Sequence, residues 1–276
     1  HLPDDWRGAL QTAAERQRIL ILGPTDAGKT SFIRALAAAA PERLGLIDLD
    51  PGQKMLGPPG TASLGSIEEL QRFIFLGSTS ASNLGGIRRA AAALAAQAAG
   101  SGAFAVNTAG FVIGLGARLQ AITAKAVQPD LMVEIGAHAS AEPIVAAFEK
   151  VPLIRLGRST AARRKSSAAR AALRQQAFAA SLSGATRLRV SGMLFHPGPP
   201  LPWLTTARPV CALADECGID MSLGVCVEFD GETTLIDAPP PPRPWRLVRL
   251  GKMWAEPQAE GGWRLLEKLS PSWSPA

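Results

Sequence analysis

The chain has 276 residues, 47% of them hydrophobic and 19% charged, with a formal net charge of +6. The apolar share supports a sizeable core and argues against global disorder, while the length fits one large domain or two unequal ones. The three cysteines (Cys211, Cys217, Cys226) and three histidines (His1, His138, His196) lack close ligand spacing, which argues against a disulfide scaffold or zinc site and fits a reducing cytoplasm. No apolar run has the length of a membrane span, no secretory signal is visible, and the positive charge favours polyanionic partners.

In chain order, residues 1–18 read as a short amphipathic helix around Gly8–Gln17 with Trp6 ahead of it. Ile19–Leu22 is an apolar strand, and Ser31–Ala37 is rich in helix formers and stops at Pro41. A second strand, Leu44–Asp50, is closed by Pro51-Gly52 and followed by a loop holding Gly57, Pro58, Pro59 and Gly60. Phe73–Leu76 reads as a third strand, ending in the polar run Gly77–Asn83. Then come a helix over Leu84–Ala99, a strand over Ala103–Val106, a helix over Leu115–Val127 and a strand over Leu131–Ile135, with a short helix Ala141–Phe148 and a strand Pro152–Leu156 after them. Such alternation implies an α/β fold: a doubly wound, mostly parallel sheet with helices on both faces, its ligands bound at the strand C-termini.

From Lys150 to Ala214 there is no acidic residue, and a helix is expected over Ala161–Leu182. Beyond residue 186, proline breaks (Pro197, Pro199, Pro200, Pro202; Pro239–Pro242) separate short β-like runs at Cys211–Leu213, Ser222–Phe229, Thr233–Ile236 and Trp245–Leu250. The expected organisation is a first domain over 1–185 and a small β-rich C-terminal domain over 186–276.

The octet Gly23-Pro24-Thr25-Asp26-Ala27-Gly28-Lys29-Thr30 satisfies the phosphate-loop pattern Gly, four residues, Gly-Lys-Ser/Thr. A chance match must be weighed in a chain with 27 glycines, but the strand before it and the helix after it supply the required context. Backbone N–H groups and the positive helix end converge on an anion there. Candidate nucleotide contacts are Gly23, Thr25, Asp26, Ala27, Gly28, Lys29, Thr30 and Ser31, with Lys29 reaching the β- and γ-phosphates and Thr30 holding Mg2+. On a strand, Asp48 and Asp50 would share one face. One could support the Mg2+ shell and the other accept a proton, the bland alternative being a solvated turn before Pro-Gly.

The phosphate loop followed by Asp48-Leu49-Asp50-Pro51-Gly52-Gln53 resembles the P-loop polynucleotide 5′-hydroxyl kinases, the family that includes the kinases of pre-mRNA cleavage and of ribosomal RNA processing. Gly77-Ser78-Thr79-Ser80 resembles its substrate clasp, with Ala81 where proline is expected, and Asn107-Thr108-Ala109-Gly110-Phe111-Val112-Ile113-Gly114-Leu115-Gly116 resembles its Asn-Thr-x-Gly-Trp motif, with Phe111 for tryptophan. Arg158-Ser159-Thr160-Ala161-Ala162-Arg163-Arg164 resembles its arginine-bearing lid, which on this reading extends over about 157–182 within the kinase domain.

The resemblance implies ATP as phosphoryl donor with Mg2+, and 5′-hydroxyl RNA or DNA as acceptor. It implies Lys29, Asp50, Arg158 and Arg163 as catalytic, with Asp50 the general base, and Thr30 with Asp48 at the metal. Substrate contacts would come from Gln53, Thr79, Ser80, Asn83, Arg88 and Phe111. The alternatives are a GTPase, a small-metabolite kinase or an ATP-holding scaffold. No lysine is followed two residues later by Asp, which counts against guanine recognition. RNA or DNA preference, oligomeric state and the role of the C-terminal domain stay open at this level.

Overall fold

The computed structural model describes residues 3, 5–40, 44–136, 142–159, 162–191, 194–195, 207–229 and 233–266. His1, Pro41, His138, Ala141, Thr160, Ala161, His196 and the proline break from Pro197 to Pro202 lie outside the described residues. The chain divides into two units. The first comprises His1–Leu56, Ala62–Gln71 and Ser80–Ser166, and the second Gly57–Thr61, Arg72–Thr79 and Ser167–Ala276. The long division thus falls at Ser166/Ser167 rather than at 185/186, and two short inner segments join the C-terminal residues.

Helix α1 (Asp5–Ala14) precedes β1 (Arg18–Leu22), and the phosphate loop leads into α2 (Lys29–Ala39). There follow β2 (Leu44–Asp48), β3 (Thr61–Gly65), β4 (Leu70–Phe75), α3 (Leu84–Ala99), β5 (Ala103–Asn107), α4 (Leu115–Val127), β6 (Leu131–Ile135), α5 (Glu142–Ala147) and β7 (Leu153–Leu156). The sheet order is β4-β3-β2-β5-β1-β6-β7. Strand β1 pairs in parallel with β5 and β6, and β2 pairs in parallel with β5 but antiparallel with β3. This is the doubly wound, mostly parallel architecture. Ile19 to Leu22 are fully buried, as a central parallel strand covered on both faces requires.

Two local expectations need correction. Strand β3, Thr-Ala-Ser-Leu-Gly, occupies part of what reads as loop; its small residues carry no β signature, yet all five are buried. Strand β2 stops at Asp48 instead of Asp50. The Asp50 side chain accepts the N–H groups of Gly52 and Gln53, and Pro51 has no N–H to offer a ladder, so the chain leaves the sheet as a side-chain-capped turn.

Helix α1 lies against α2 through Trp6 and Phe32, both fully buried, with ring centroids 5.5 Å apart in an edge-on arrangement. They belong to a core with Ile21, Ile33, Leu36, Val133 and Ile135, which seats the phosphate loop on packed side chains.

The second unit holds α6 (Ser167–Ser181), β8 (Thr186–Ser191), β9 (Leu194–Phe195), β10 (Arg208–Ala214), β11 (Asp220–Phe229), β12 (Thr233–Ala238), β13 (Leu247–Pro257) and β14 (Trp263–Leu265). Its sheet runs β14-β13-β10-β11-β12-β8, with β9 beside β13. Helix α6 begins at Ser167, later than the expected Ala161, and its Phe178 is buried with Val210, Leu223, Val225 and Met253. The segment before Thr79 is fixed here too. The carbonyl of Gly77 accepts the N–H of Lys252 at 2.6 Å, and a Cβ on Gly77 would lie 2.8 Å from the Gly251 Cα, so glycines let two backbones meet. Among the described residues no helix is long and apolar enough to cross a membrane.

Candidate active site

The phosphate loop is held by positions where only glycine fits. Gly23 has φ 145°, and a Cβ there would come within 2.3 Å of the Ile135 carbonyl oxygen. Gly28 has φ 116° and would place a Cβ 3.0 Å from the Trp6 ring. Asp26 is left-handed at φ 59°, a conformation that aspartate tolerates better than most residues. Of the loop amides, Thr25 N donates to Gly110 O and Ala27 N to Pro24 O. The first N–H groups of α2 have no intrahelical acceptor and form the natural anion site.

Lys29 is buried, and its Nζ donates to the carbonyls of Gly23 at 2.7 Å and Pro24 at 2.9 Å. Burial brings its pKa down to about 8, against the opposing charges of Asp50 and Asp26. Thr30 and Ser31 are exposed at the start of α2. Thr25 is exposed, and its N–H and its hydroxyl both donate to Gly110 O, at 3.1 and 3.2 Å. Asp26 turns towards the arginine-bearing segment, its Oδ2 accepting the Lys165 N–H at 3.1 Å.

Asp48 and Asp50 do different work. Asp48 is fully buried. Its Oδ1 accepts from Asp50 N and Asn107 Nδ2, and its Oδ2 from Met55 N and Leu56 N, with Lys54 Nζ 3.2 Å away. A carboxylate has about four lone-pair sites, so these donors fill it and it organises the 50–56 loop. Asp50 has two N–H donors on one oxygen and is otherwise less supported. Burial, then the neighbouring Asp48 charge, raise its pKa above the ordinary carboxylate value, while those N–H groups and Lys29 pull the other way. Gln53 turns its Nε2 onto Gly52 O at 2.9 Å.

The remaining candidates are spread along the unit. Asn83 caps α3, its side chain accepting Gly86 N at 3.0 Å, and Arg88 is exposed on that helix. Ser80 donates its hydroxyl to Ser82 Oγ at 2.9 Å, while Thr79 belongs to the second unit. Phe111 is 47% exposed directly after Gly110, followed by exposed Ile113 and Leu115. Arg158 and Arg163 are exposed. Other arginines of the basic span are engaged: Arg155 with Glu134 and Glu142, and Arg187 with Asp237.

Sequence reasoning placed Asn107 in the Asn-Thr-x-Gly motif without giving it a role, and did not single out Asp5. Asn107 closes β5 and bonds Asp48; Asp5 accepts the Gly157 N–H at 3.3 Å. That motif, and a polar residue ending the apolar run Ala103–Val106, were the signals for Asn107; Asp5 had none.

A glycine-cradled loop between strand and helix, with a buried lysine and acids at the strand ends, defines a P-loop nucleotide-binding protein. The family model described as mRNA cleavage and polyadenylation factor CLP1 P-loop matches residues 23–183, and the chain belongs to that family. It is 31% identical over 192 residues to a polyribonucleotide 5′-hydroxyl-kinase of Pyrococcus furiosus, covering 63% of this chain and 54% of that protein. A kinase of the same description from Pyrococcus horikoshii is 30% identical over 149 residues, covering 49% of this chain and 41% of the relative. The chain thus spans about half the length of the curated relatives it matches. Among solved structures it is similar to a chain of the wild-type Clp1p-Pcf11p (454–563) complex, with a TM-score of 0.71 and 13% identity over 89% of this chain and 77% of that one, a likeness of fold.

Proposed function

We propose that this chain is an ATP-dependent polynucleotide 5′-hydroxyl kinase acting on RNA. The observation that carries the reading is Asp50: a partly buried carboxylate of raised pKa, electrostatically coupled to the phosphate-loop lysine. A phosphoryl transferase to a hydroxyl needs a proton acceptor of that kind beside the phosphates. The names of the archaeal relatives support RNA as the acceptor.

Lys29 would exchange its bonds to the loop carbonyls for the β- and γ-phosphate oxygens. Asp50 takes the proton of the 5′-hydroxyl as that oxygen bonds to the γ-phosphorus; the bond to the β,γ-bridging oxygen breaks, and ADP leaves with its electron pair. Arg158 and Arg163 supply positive charge to the transferring group, and Ser80, Arg88 and Phe111 hold the polynucleotide through phosphate contacts and base stacking. Among the described residues no cluster of three or more His, Cys, Asp or Glu could hold a metal. The exposed Thr30 at the start of α2 suits an ion carried mainly by phosphates and water, as Mg2+ prefers. Bound with ATP, Mg2+ would neutralise charge between the β- and γ-phosphates.

The test is incubation with Mg2+, γ-labelled ATP and 5′-hydroxyl oligonucleotides of RNA and DNA. Label on RNA is expected. No label on either, beside efficient transfer by a control kinase, removes the proposal; label on DNA alone removes the RNA assignment.

A further inference from the structure

Asn107 is 3% exposed, and its Oδ1 is buried with no hydrogen-bond partner. Leaving a buried amide oxygen unpaired costs roughly 1–3 kcal/mol, so such an atom calls for an explanation. The orientation of the amide is set by its neighbour: Asp48 Oδ1 lies 2.9 Å away and can only accept, so Nδ2 faces it and Oδ1 is turned away.

The register fixes the strands on either side of Asn107. Strand β5 lies between β2 and β1, with Asn107 opposite Asp48 on one side and opposite Ile21 on the other. The amide nitrogen is committed to the β2 side, and the other neighbour of Asn107 is β1, the strand that runs into the phosphate loop. Two bonds tie the residues after Asn107 to that strand and loop: Thr108 Oγ1 donates to Ile21 O at 2.8 Å, and Gly110 O accepts Thr25 N. The end of β5 is therefore the strand terminus next to the phosphate loop, while Asp48 stands one strand further out and has its acceptor sites filled.

We infer that Asn107 Oδ1, rather than Asp48, accepts a hydrogen bond from a water of the Mg2+ ion that accompanies the nucleotide. An amide suits this position where a carboxylate would not. Its nitrogen can donate to Asp48, whereas a second carboxylate would set two negative charges against each other. Asn107 is thus a positioning residue for the ion. The inference rests only on the nucleotide-binding half of the proposed function.

The test measures ATP affinity calorimetrically, once with Mg2+ and once with EDTA. In Asn107→Leu the affinity in EDTA should stay close to that of the unaltered protein, and the gain conferred by Mg2+ should fall about 10- to 100-fold, the usual scale for losing an outer-shell partner of a metal. Lys54→Met removes a different donor from Asp48 and should keep the Mg2+ gain. An undiminished gain in Asn107→Leu, or an equal loss in both variants, overturns the assignment. A crystal structure of the unaltered protein with Mg2+ and a non-hydrolysable ATP analogue gives a second reading free of folding effects. A metal-bound water within hydrogen-bond distance of Asn107 Oδ1 is expected, and an ion whose waters all face elsewhere overturns the inference. Neither measurement uses an oligonucleotide, so a failure here is distinct from a failure of the kinase assay.

Discussion

Asp26 of the phosphate loop accepts the backbone N–H of Lys165 at 3.1 Å. At the other end of the same segment, Asp5 of α1 accepts the N–H of Gly157 at 3.3 Å. The stretch that carries Arg158 and Arg163 is therefore held at both ends by carboxylates, one of them from the loop that would bind the phosphates. Asp26→Ala should lower turnover about tenfold, the scale of one charged hydrogen bond, with a smaller effect on ATP affinity. Asp26→Asn keeps an acceptor oxygen and should restore most of the loss. Steady-state kinetics of the two variants decide; equal loss in both means that charge, not the tether, matters.

Asp50→Asn should reduce phosphoryl transfer by about 10²- to 10⁴-fold while ATP still binds. Because burial and Asp48 raise the Asp50 pKa, the acid limb of the kcat profile should lie above the ordinary carboxylate range, activity falling as pH drops through the raised value. The sign for stability is opposite. A raised folded-state pKa means that the charged form opposes folding above that pKa and not below the unfolded value of 3.8. Asp50→Asn, which keeps an acceptor for Gly52 and Gln53, should therefore be more heat-stable than the unaltered protein at pH 7, with the difference vanishing in acid. Thermal unfolding at several pH values measures this.

Lys29 must be protonated to hold phosphate, and its pKa is about 8. ATP affinity should accordingly weaken as pH rises above 8, by at most about tenfold per unit. Lys29→Met should bind ATP weakly and lose this alkaline dependence. Calorimetric titrations between pH 7 and about 9.5 check both.

Gly110→Ala would set a methyl group 2.4 Å from Thr25 Oγ1 and 2.6 Å from the Thr25 Cα and N, with no flexible side-chain end to give way. The loss should be about 1–3 kcal/mol and should fall on the phosphate loop. Thermal shift with and without ATP should show a smaller ligand-induced stabilisation than in the unaltered protein.

Phe111 is exposed next to the phosphate loop, where a base can lie on its ring. Phe111→Ala should raise the oligonucleotide KM by the equivalent of about 1–3 kcal/mol and leave the KM for ATP unchanged. Phe111→Trp should lower the oligonucleotide KM or leave it unaltered.

Much of the first unit was legible because its signals are local. Ile19–Leu22 is a continuous apolar run leading into a glycine pattern, and α3 and α4 have the bounds read from their alanine- and leucine-rich periodicity. What was not legible depended on side-chain bonds across sequence. Nothing in Thr-Ala-Ser-Leu-Gly announces a strand; β3 exists through its antiparallel pairing with β2. Strand periodicity alone left Asp48 and Asp50 equivalent, and the family resemblance told them apart; what no local pattern held was the set of donors from Lys54, Met55, Leu56 and Asn107 that fills Asp48. The density of arginine hid Phe178, whose burial with Val210 and Met253 puts α6 in the second unit.

The carbonyl of Gly77 waits for Lys252, and Gly57–Thr61 and Arg72–Thr79 belong with residues that follow Ser167. During synthesis the chain leaves the ribosome from its N-terminus, so most of the first unit emerges long before β13. The stretch leading to Thr79 is then the last part of the N-terminal half to find its partners. A polypeptide stopped anywhere before Lys252 would carry every residue of the phosphate loop, while the Gly77 carbonyl would still lack its backbone donor.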